Sequence, residues 1–309
     1  MRVCYHIQSH KLPDQVHRLV SRLTESDTDC IVLISHDTAG TALDVTRLRA
    51  LGDVHVLPAT GGYGDWSHLE RYLDSAEWLR RHDVDYDWFT NLTGQDYPVI
   101  PPLDTRRFLE ASDRDGYLGN FPVLSPSSPW GTRRGRDRYY FGYRRLRQLT
   151  MRQRSILRGL QVINRAQPVL RVNVSYGLSV GVRTRTPFDD DLVCYGGSFF
   201  ATLRQECVEF VANYVATHPE VVRHYRGVLA PEESLLQTVL VNSGRFRLSG
   251  DNKRYFDFSQ SAYNHPRTLT VDDLDAIVAS GDHFARKFDA TVDSAVLDQL
   301  DARMSLPQR

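Results

Sequence analysis

Hydrophobic positions fall into two alternating patterns over the first third of the chain. "RVCYHI" (2–7), "DCIVLIS" (29–35), "DVHVLPA" (53–59) and "YDWFTNL" (86–92) are short, nearly continuous apolar runs, as expected of strands buried on both faces. Between them, "LPDQVHRLVSRL" (12–23) places Val16, Leu19, Val20 and Leu23 on one helical face, with Pro13 near the start. "DWSHLERYLDSAEWLRR" (65–81) reads as a second amphipathic helix. Strands separated by helices predict an α/β fold with a mostly parallel sheet and right-handed crossovers. In such a sheet, ligands bind outside the carboxyl ends of the strands.

The pattern breaks over 122–172. "PVLSPSSPWG" (122–131) is loop-like, and the stretch 133–165 carries 11 arginines among aromatic residues. It reads as an Arg-rich helical insertion with two possible roles. It is either an anion-binding surface for nucleic acid, an acidic lipid leaflet or a charged acceptor, or a solvated surface whose arginines pair with acidic loops such as "FDDD" (188–191). The α/β pattern resumes with "DLVCYGGSFFATL" (191–203) and a helix over 204–218. A further helix is expected over 231–243, with Pro and acids in its first turn, where the helix dipole favours them. A final helix is expected over 291–303. No repeat or linker interrupts the chain, so one domain over 1–309 is expected, with an insertion at about 122–172.

Charge narrows the picture. The 38 basic and 38 acidic side chains cancel, so bulk charge implies no polyanionic partner, and no nucleic acid is expected. Scarce lysine beside frequent arginine fits a GC-rich bacterial source. Cys4, Cys30, Cys194 and Cys207 form no CxxC pair and read as buried free thiols, not as a zinc site. No segment approaches the roughly 20 apolar residues that span a bilayer. The expectation is a cytoplasmic protein, or one held peripherally at the inner face of a membrane.

Candidate chemistry gathers at the strand ends. An enzyme handling a nucleotide diphosphate often places an Asp-x-Asp pair there to hold a divalent cation. The Asp-x-Asp strings at 27–29, 83–85, 85–87, 189–191 and 273–275 do not stand at the carboxyl end of a predicted strand, so no metal site is expected. "GGYG" (61–64) is too short for a Walker loop. The fourth strand instead ends in Thr93, Gly94, Gln95 and one acid, Asp96. Basic side chains can replace a metal at a diphosphate, Arg as a fork and Lys as a point charge. Candidates are Arg267 in "HPRTL" and the Arg286–Lys287 pair in "FARKFD", where Phe284 and Phe288 would anchor the segment. Glu232 and Glu233 in "PEESLLQ" are general-base candidates, although acids at a helix start also have a purely structural use.

Several stretches, in order, resemble one family. They are "HIQSHKLPDQVHRLV", "SHD", "YGDWSHLE", "DYDWFTNLTGQDYPV", "YGGSFFATLRQECVEFV", "PEESLLQTVLVNS", "HPRTLTVDDLDAI" and "FARKFD". Together, from about residue 2 to 290, they are similar to the core-2/I-branching β-1,6-N-acetylglucosaminyltransferase and peptide O-xylosyltransferase family, glycosyltransferase family 14. The resemblance implies a GT-A-type fold and inverting, metal-independent transfer of a sugar, GlcNAc or xylose, from a UDP-sugar. The acceptor would be a carbohydrate, lipid-linked or peptide hydroxyl. It implies Glu233 as general base, Arg267 and Lys287 on the diphosphate, Asp37 on the uracil and Tyr63 on the ribose. Gln95 and Asp96 would line the donor-sugar region, beside Glu232. Phe199 stands where the family often has Trp or Tyr, which bears on acceptor and sugar preference. The other reading is a non-catalytic nucleotide-sugar or polyanion-binding protein on the same fold.

Overall fold

A computed structural model describes residues 1–259 and 265–305. Its centre is a seven-stranded sheet in the order Val54–Ala59, Ile31–Asp37, Val3–Ser9, Trp88–Thr93, Thr202–Arg204, Gly116–Tyr117 and Leu248–Ser249. The first four of these strands are mutually parallel. Thr202–Arg204 runs antiparallel to its neighbours on both sides. Register aligns the carboxyl ends: Ser9 lies opposite His36, Gln8 opposite Thr93, and Asp37 opposite Ala59. "SHD", the glycines after Ala59 and "TGQ" therefore emerge along one edge.

Each face of the sheet is covered as the apolar pattern requires. Helix Pro13–Ser26 buries Val16, Leu19, Val20 and Leu23 completely on one face, with Trp88 in the same cluster. Helices Ser67–Arg81, Gln205–Thr217 and Leu235–Asn242 close the other through Leu69, Tyr72, Val208 and Leu236. A smaller sheet joins Arg254–Phe256, Phe284–Arg286 and Asp96–Pro98. In it Arg286 pairs with Asp96, so the C-terminal "FARKFD" is laid directly against "TGQDYP". Phe284 and Phe288 are both buried, as expected of anchors. The four cysteines are buried and free. Among the described residues, no helix is long and apolar enough to cross a membrane.

Two local expectations are corrected. The insertion is not wholly helical. It carries an antiparallel sheet of Phe141–Arg147, Leu178–Arg183 and Leu170–Asn173, because Phe141 and Tyr143 find cross-strand partners that local arginine helix propensity does not register. The run 191–203 divides between two sheets. Tyr195–Gly196 pairs with Phe121–Pro122, and only Thr202–Arg204 enters the central sheet. Finally, "PEE" does not open the following α-helix. Ala230 is left-handed at φ 49°, Pro231–Glu233 form a separate 3₁₀ turn, and the α-helix begins at Leu235.

Candidate functional site

The first wall of the site is built from the ends of the parallel strands. Asp37 accepts a hydrogen bond from the Ala39 amide at 3.0 Å. A Cβ on Gly61 would fall 2.1 Å from its carboxylate, so a side chain there would push the Asp37 carboxylate out of its place under the 61–64 loop. Burial tends to raise the Asp37 carboxyl, but the amides of Ala39 and Gly61 and the Arg71 charge outweigh it and hold the group below its ordinary value. Arg71, itself buried, ties the ends of two strands together by donating to Ser9 O at 3.1 Å and Ser35 Oγ at 3.0 Å.

The 61–64 loop also delivers Tyr63. Its hydroxyl hydrogen-bonds His265 Nε2, its ring lies 5.4 Å from that of Tyr176, and the Arg154 guanidinium sits 5.0 Å from its centroid. Burial, then the charges of Lys287, Arg286 and Arg154, push His265 down, against a smaller opposing pull from Glu233. Nothing local in the sequence marks Arg154 or His265. Arg154 comes from the insertion, and His265 lies 202 residues from Tyr63.

At the fourth strand end, Gln95 and Asp96 act as braces. Gln95 donates its side-chain amide to Phe288 O at 3.0 Å, and its carbonyl accepts from Phe288 N at 2.8 Å. Asp96 does not line an open region. It is fully buried, accepts from Thr93 N at 2.6 Å and Thr93 Oγ1 at 2.5 Å, and faces Arg286 at 3.9 Å. Arg286 is in turn packed under Phe200 at 4.1 Å. These contacts fix Lys287, the next residue, at the edge of the site. Lys287 makes no side-chain hydrogen bond or ion pair among the described residues. Burial, then repulsion from Arg286 and Lys11, lower its affinity for a proton, with Asp289 opposing. Arg267 differs from the expectation. Its guanidinium is taken by Asp257 at 2.6 Å and by both oxygens of Asp273, leaving no fork for a diphosphate.

The two acids of "PEE" are held in contrasting ways. Glu232 is buried and its Oε2 has no hydrogen-bond partner. Burial, reinforced by the neighbouring Glu233 charge, pushes its carboxyl up to about 8. Glu233 is partly exposed and pairs with the buried Arg138, which also donates to Tyr176 Oη at 2.9 Å and stacks on Trp130 at 4.5 Å. The Glu233 carbonyl accepts from Gly197 N at 2.9 Å. Gly197 must be glycine, because a Cβ there would lie 1.8 Å from Gly119 O. Phe199 belongs to the core behind this loop, packed 6.0 Å from the ring of Tyr72.

Beside the Arg138–Glu233 pair opens a cavity of about 580 Å³, lined by Trp130, Arg134, Arg138, Arg158, Arg165 and Tyr176 among others. Arg134 is held below its ordinary pKa by burial and by Arg138. The one acid on this lining, Asp137, is engaged by Arg171 at 2.5 Å. The insertion's ion pairs therefore run to Asp137, Asp65 and Glu233, whereas Asp189 of "FDDD" accepts from the amides of Asp191 and Leu192.

A sequence model of the Core-2/I-Branching enzyme family matches residues 17–278. Two beta-glucuronosyltransferases of Arabidopsis thaliana are each 24% identical to the chain, covering 74% and 75% of it and 45% and 47% of their own lengths. The chain thus spans about half the length of the curated relatives it matches. Among solved structures, TarS of S. aureus in complex with UDP-GlcNAc is 15% identical over 38% of this chain and 34% of that one, at a TM-score of 0.30. A nucleoside-diphosphate-sugar pyrophosphorylase from Vibrio cholerae is 12% identical over 80% and 90%, at a TM-score of 0.37.

Proposed function

The chain belongs to the Core-2/I-Branching enzyme family, and from that premise we propose that it is an inverting glycosyltransferase. It would move a sugar from UDP to an acceptor hydroxyl without a metal ion. The observation that carries this reading is the meeting of three segments at the strand ends: Gly61 closes over Asp37 and Tyr63 contacts His265, Ala230 N just before the "PEE" turn donates to Gly64 O at 3.2 Å, and "FARKFD" is paired with Asp96. Asp37 presents a carboxylate to the uracil and Tyr63 its ring to the ribose. Lys287, unpaired among the described residues, meets the diphosphate and stabilises the charge that develops as it leaves. Asp96, the acid at the strand end, is already committed to Thr93 and Arg286, which favours a cationic grip there over a metal.

Glu233 removes the acceptor proton as that oxygen attacks the anomeric carbon from the face opposite UDP, and one displacement inverts the centre. Arg138 orients its carboxylate, and the cavity beside Arg138 receives the acceptor. GlcNAc and xylose are the donor sugars that the resemblance implies, and the two glucuronosyltransferase relatives add glucuronic acid. The proposal extends to a role in bacterial polysaccharide or glycoconjugate synthesis, in keeping with the GC-rich source that scarce lysine beside frequent arginine fits.

Calorimetric titration of UDP, with and without EDTA and repeated on Lys287→Ala, tests the grip. Binding unchanged by EDTA and weakened at least about tenfold in the variant is expected for a lost charge-assisted contact. Binding that requires added metal would overturn the metal-free mechanism. A UDP-sugar panel with hydrolysis as readout then identifies the donor.

A further inference from the structure

The helical stretch of the insertion is built inside out. Helix Met151–Leu157, the 3₁₀ turn Arg158–Val162 and helix Ile163–Ala166 contain no buried residue. Met151, Ile156, Leu160, Val162 and Ile163 are exposed, Ile156 at 71% and Val162 at 66%. The residues that turn toward the protein are largely polar. Arg154 reaches Tyr63, and Asn164 exchanges two hydrogen bonds with the Val172 backbone at 2.9 and 2.7 Å. Leu170 and Val182, paired across adjacent strands, extend the exposed apolar surface onto the small sheet. Most of the large hydrophobic side chains exposed among the described residues fall in this one region, between Leu146 and Val182. A surface this apolar on a soluble protein marks a contact site.

Charge selects the partner. Between Asp137 and Asp189 the sequence has no acidic residue and 11 arginines. Arg138 and Arg145 are paired with Glu233 and Asp65 of the body, and Arg171 with Asp137. Arg152, Arg158 and Arg165 stand among the exposed apolar residues, with no ion pair among the described residues. Apolar side chains interleaved with unpaired cations match a bilayer surface with anionic headgroups, where apolar groups enter the acyl boundary and arginines meet phosphate. A second copy of this chain would bring like charge against like charge.

We propose that residues 146–182 form a membrane-docking surface that seats the protein on an anionic lipid leaflet. Because Arg158 and Arg165 also line the cavity beside Arg138, docking would bring that cavity to the membrane surface.

Sedimentation of the full chain with phosphatidylcholine vesicles, with and without phosphatidylglycerol, tests this. Binding is expected only with phosphatidylglycerol, and it should weaken as salt rises. Each of Arg152→Gln and Arg158→Gln should lower partitioning by roughly fivefold. Ile156→Ser with Leu160→Ser should lower it at least tenfold with the charge intact, while thermal unfolding confirms that the fold is kept. Equal binding to neutral vesicles, no binding to either, or binding insensitive to the Ile156 and Leu160 changes would each overturn the proposal. So would a dimer in light scattering that Ile156→Ser dissolves, since the apolar face would then belong to a second copy.

Discussion

Helix Pro13–Ser26 and the arm 151–166 use similar residues in opposite senses. In the first, Val16, Leu19, Val20 and Leu23 point inward and lose all contact with water. In the second, Ile156, Leu160 and Ile163 point outward, while Asn164 and Arg154 face the body. The first helix is held by burial of apolar surface, worth roughly 1.5–3 kcal/mol for each large side chain. The arm is held by hydrogen bonds such as those of Asn164 with the Val172 backbone and with Arg133, each worth about 1 kcal/mol. The difference teaches that apolar content alone does not assign a helix to the core. Here it separates a scaffold from a contact surface, and Glu233 lies where the two meet, fixed by the scaffold through Gly197 and by the insertion through Arg138.

The largest test is at that junction. Glu233→Gln should reduce sugar transfer by about 10²–10⁴-fold, the usual contribution of a general base, while UDP still binds. Steady-state transfer assays beside UDP calorimetry distinguish this from a general loss of structure, and a variant retaining full turnover would move the base elsewhere. Within the scaffold, Leu19→Ala should cost about 2–5 kcal/mol in urea unfolding, because it leaves a cavity in a closed core.

Glu232 gives a pH-dependent test. With its carboxyl raised from 4.5 to about 8, the folded chain keeps a proton that the unfolded chain has already lost. The stability linked to this proton is complete below pH 4.5 and drains away as pH rises to about 8. Glu232→Gln has no proton to lose, so it should melt above the parent at pH 9 and near it at pH 5. A gap independent of pH would show that the buried carboxyl is not the cause. The smallest effect belongs to the arm: Ile156→Ser should shift the unfolding free energy by no more than about 0.5 kcal/mol. A loss comparable with that of Leu19→Ala would erase the distinction between the two regions.

The parallel strands and their helices were legible because hydrophobic periodicity is local, and Trp88, Leu33 and Val16 sit where it puts them. Motif order along the chain was legible too, and it pointed to the family that the sequence comparison assigns. The individual side-chain partners were not. Arg267 reads as a free cation until Asp257 and Asp273 close on it, and Asp96 reads as a cleft residue until Thr93 and Arg286 enclose it. Arg138 and Glu233 are 95 residues apart, and no local pattern links them.

By itself, then, the chain's order of residues determined its layers and its family, because each follows from spacings of a few residues or from motifs in sequence. Tertiary structure alone decided which charges are spent on one another, which acid of "PEE" is buried, and that the arm turns its apolar side outward. Those outcomes depend on burial and on partners far away in the chain, and both exist only once the sheet has brought distant segments together.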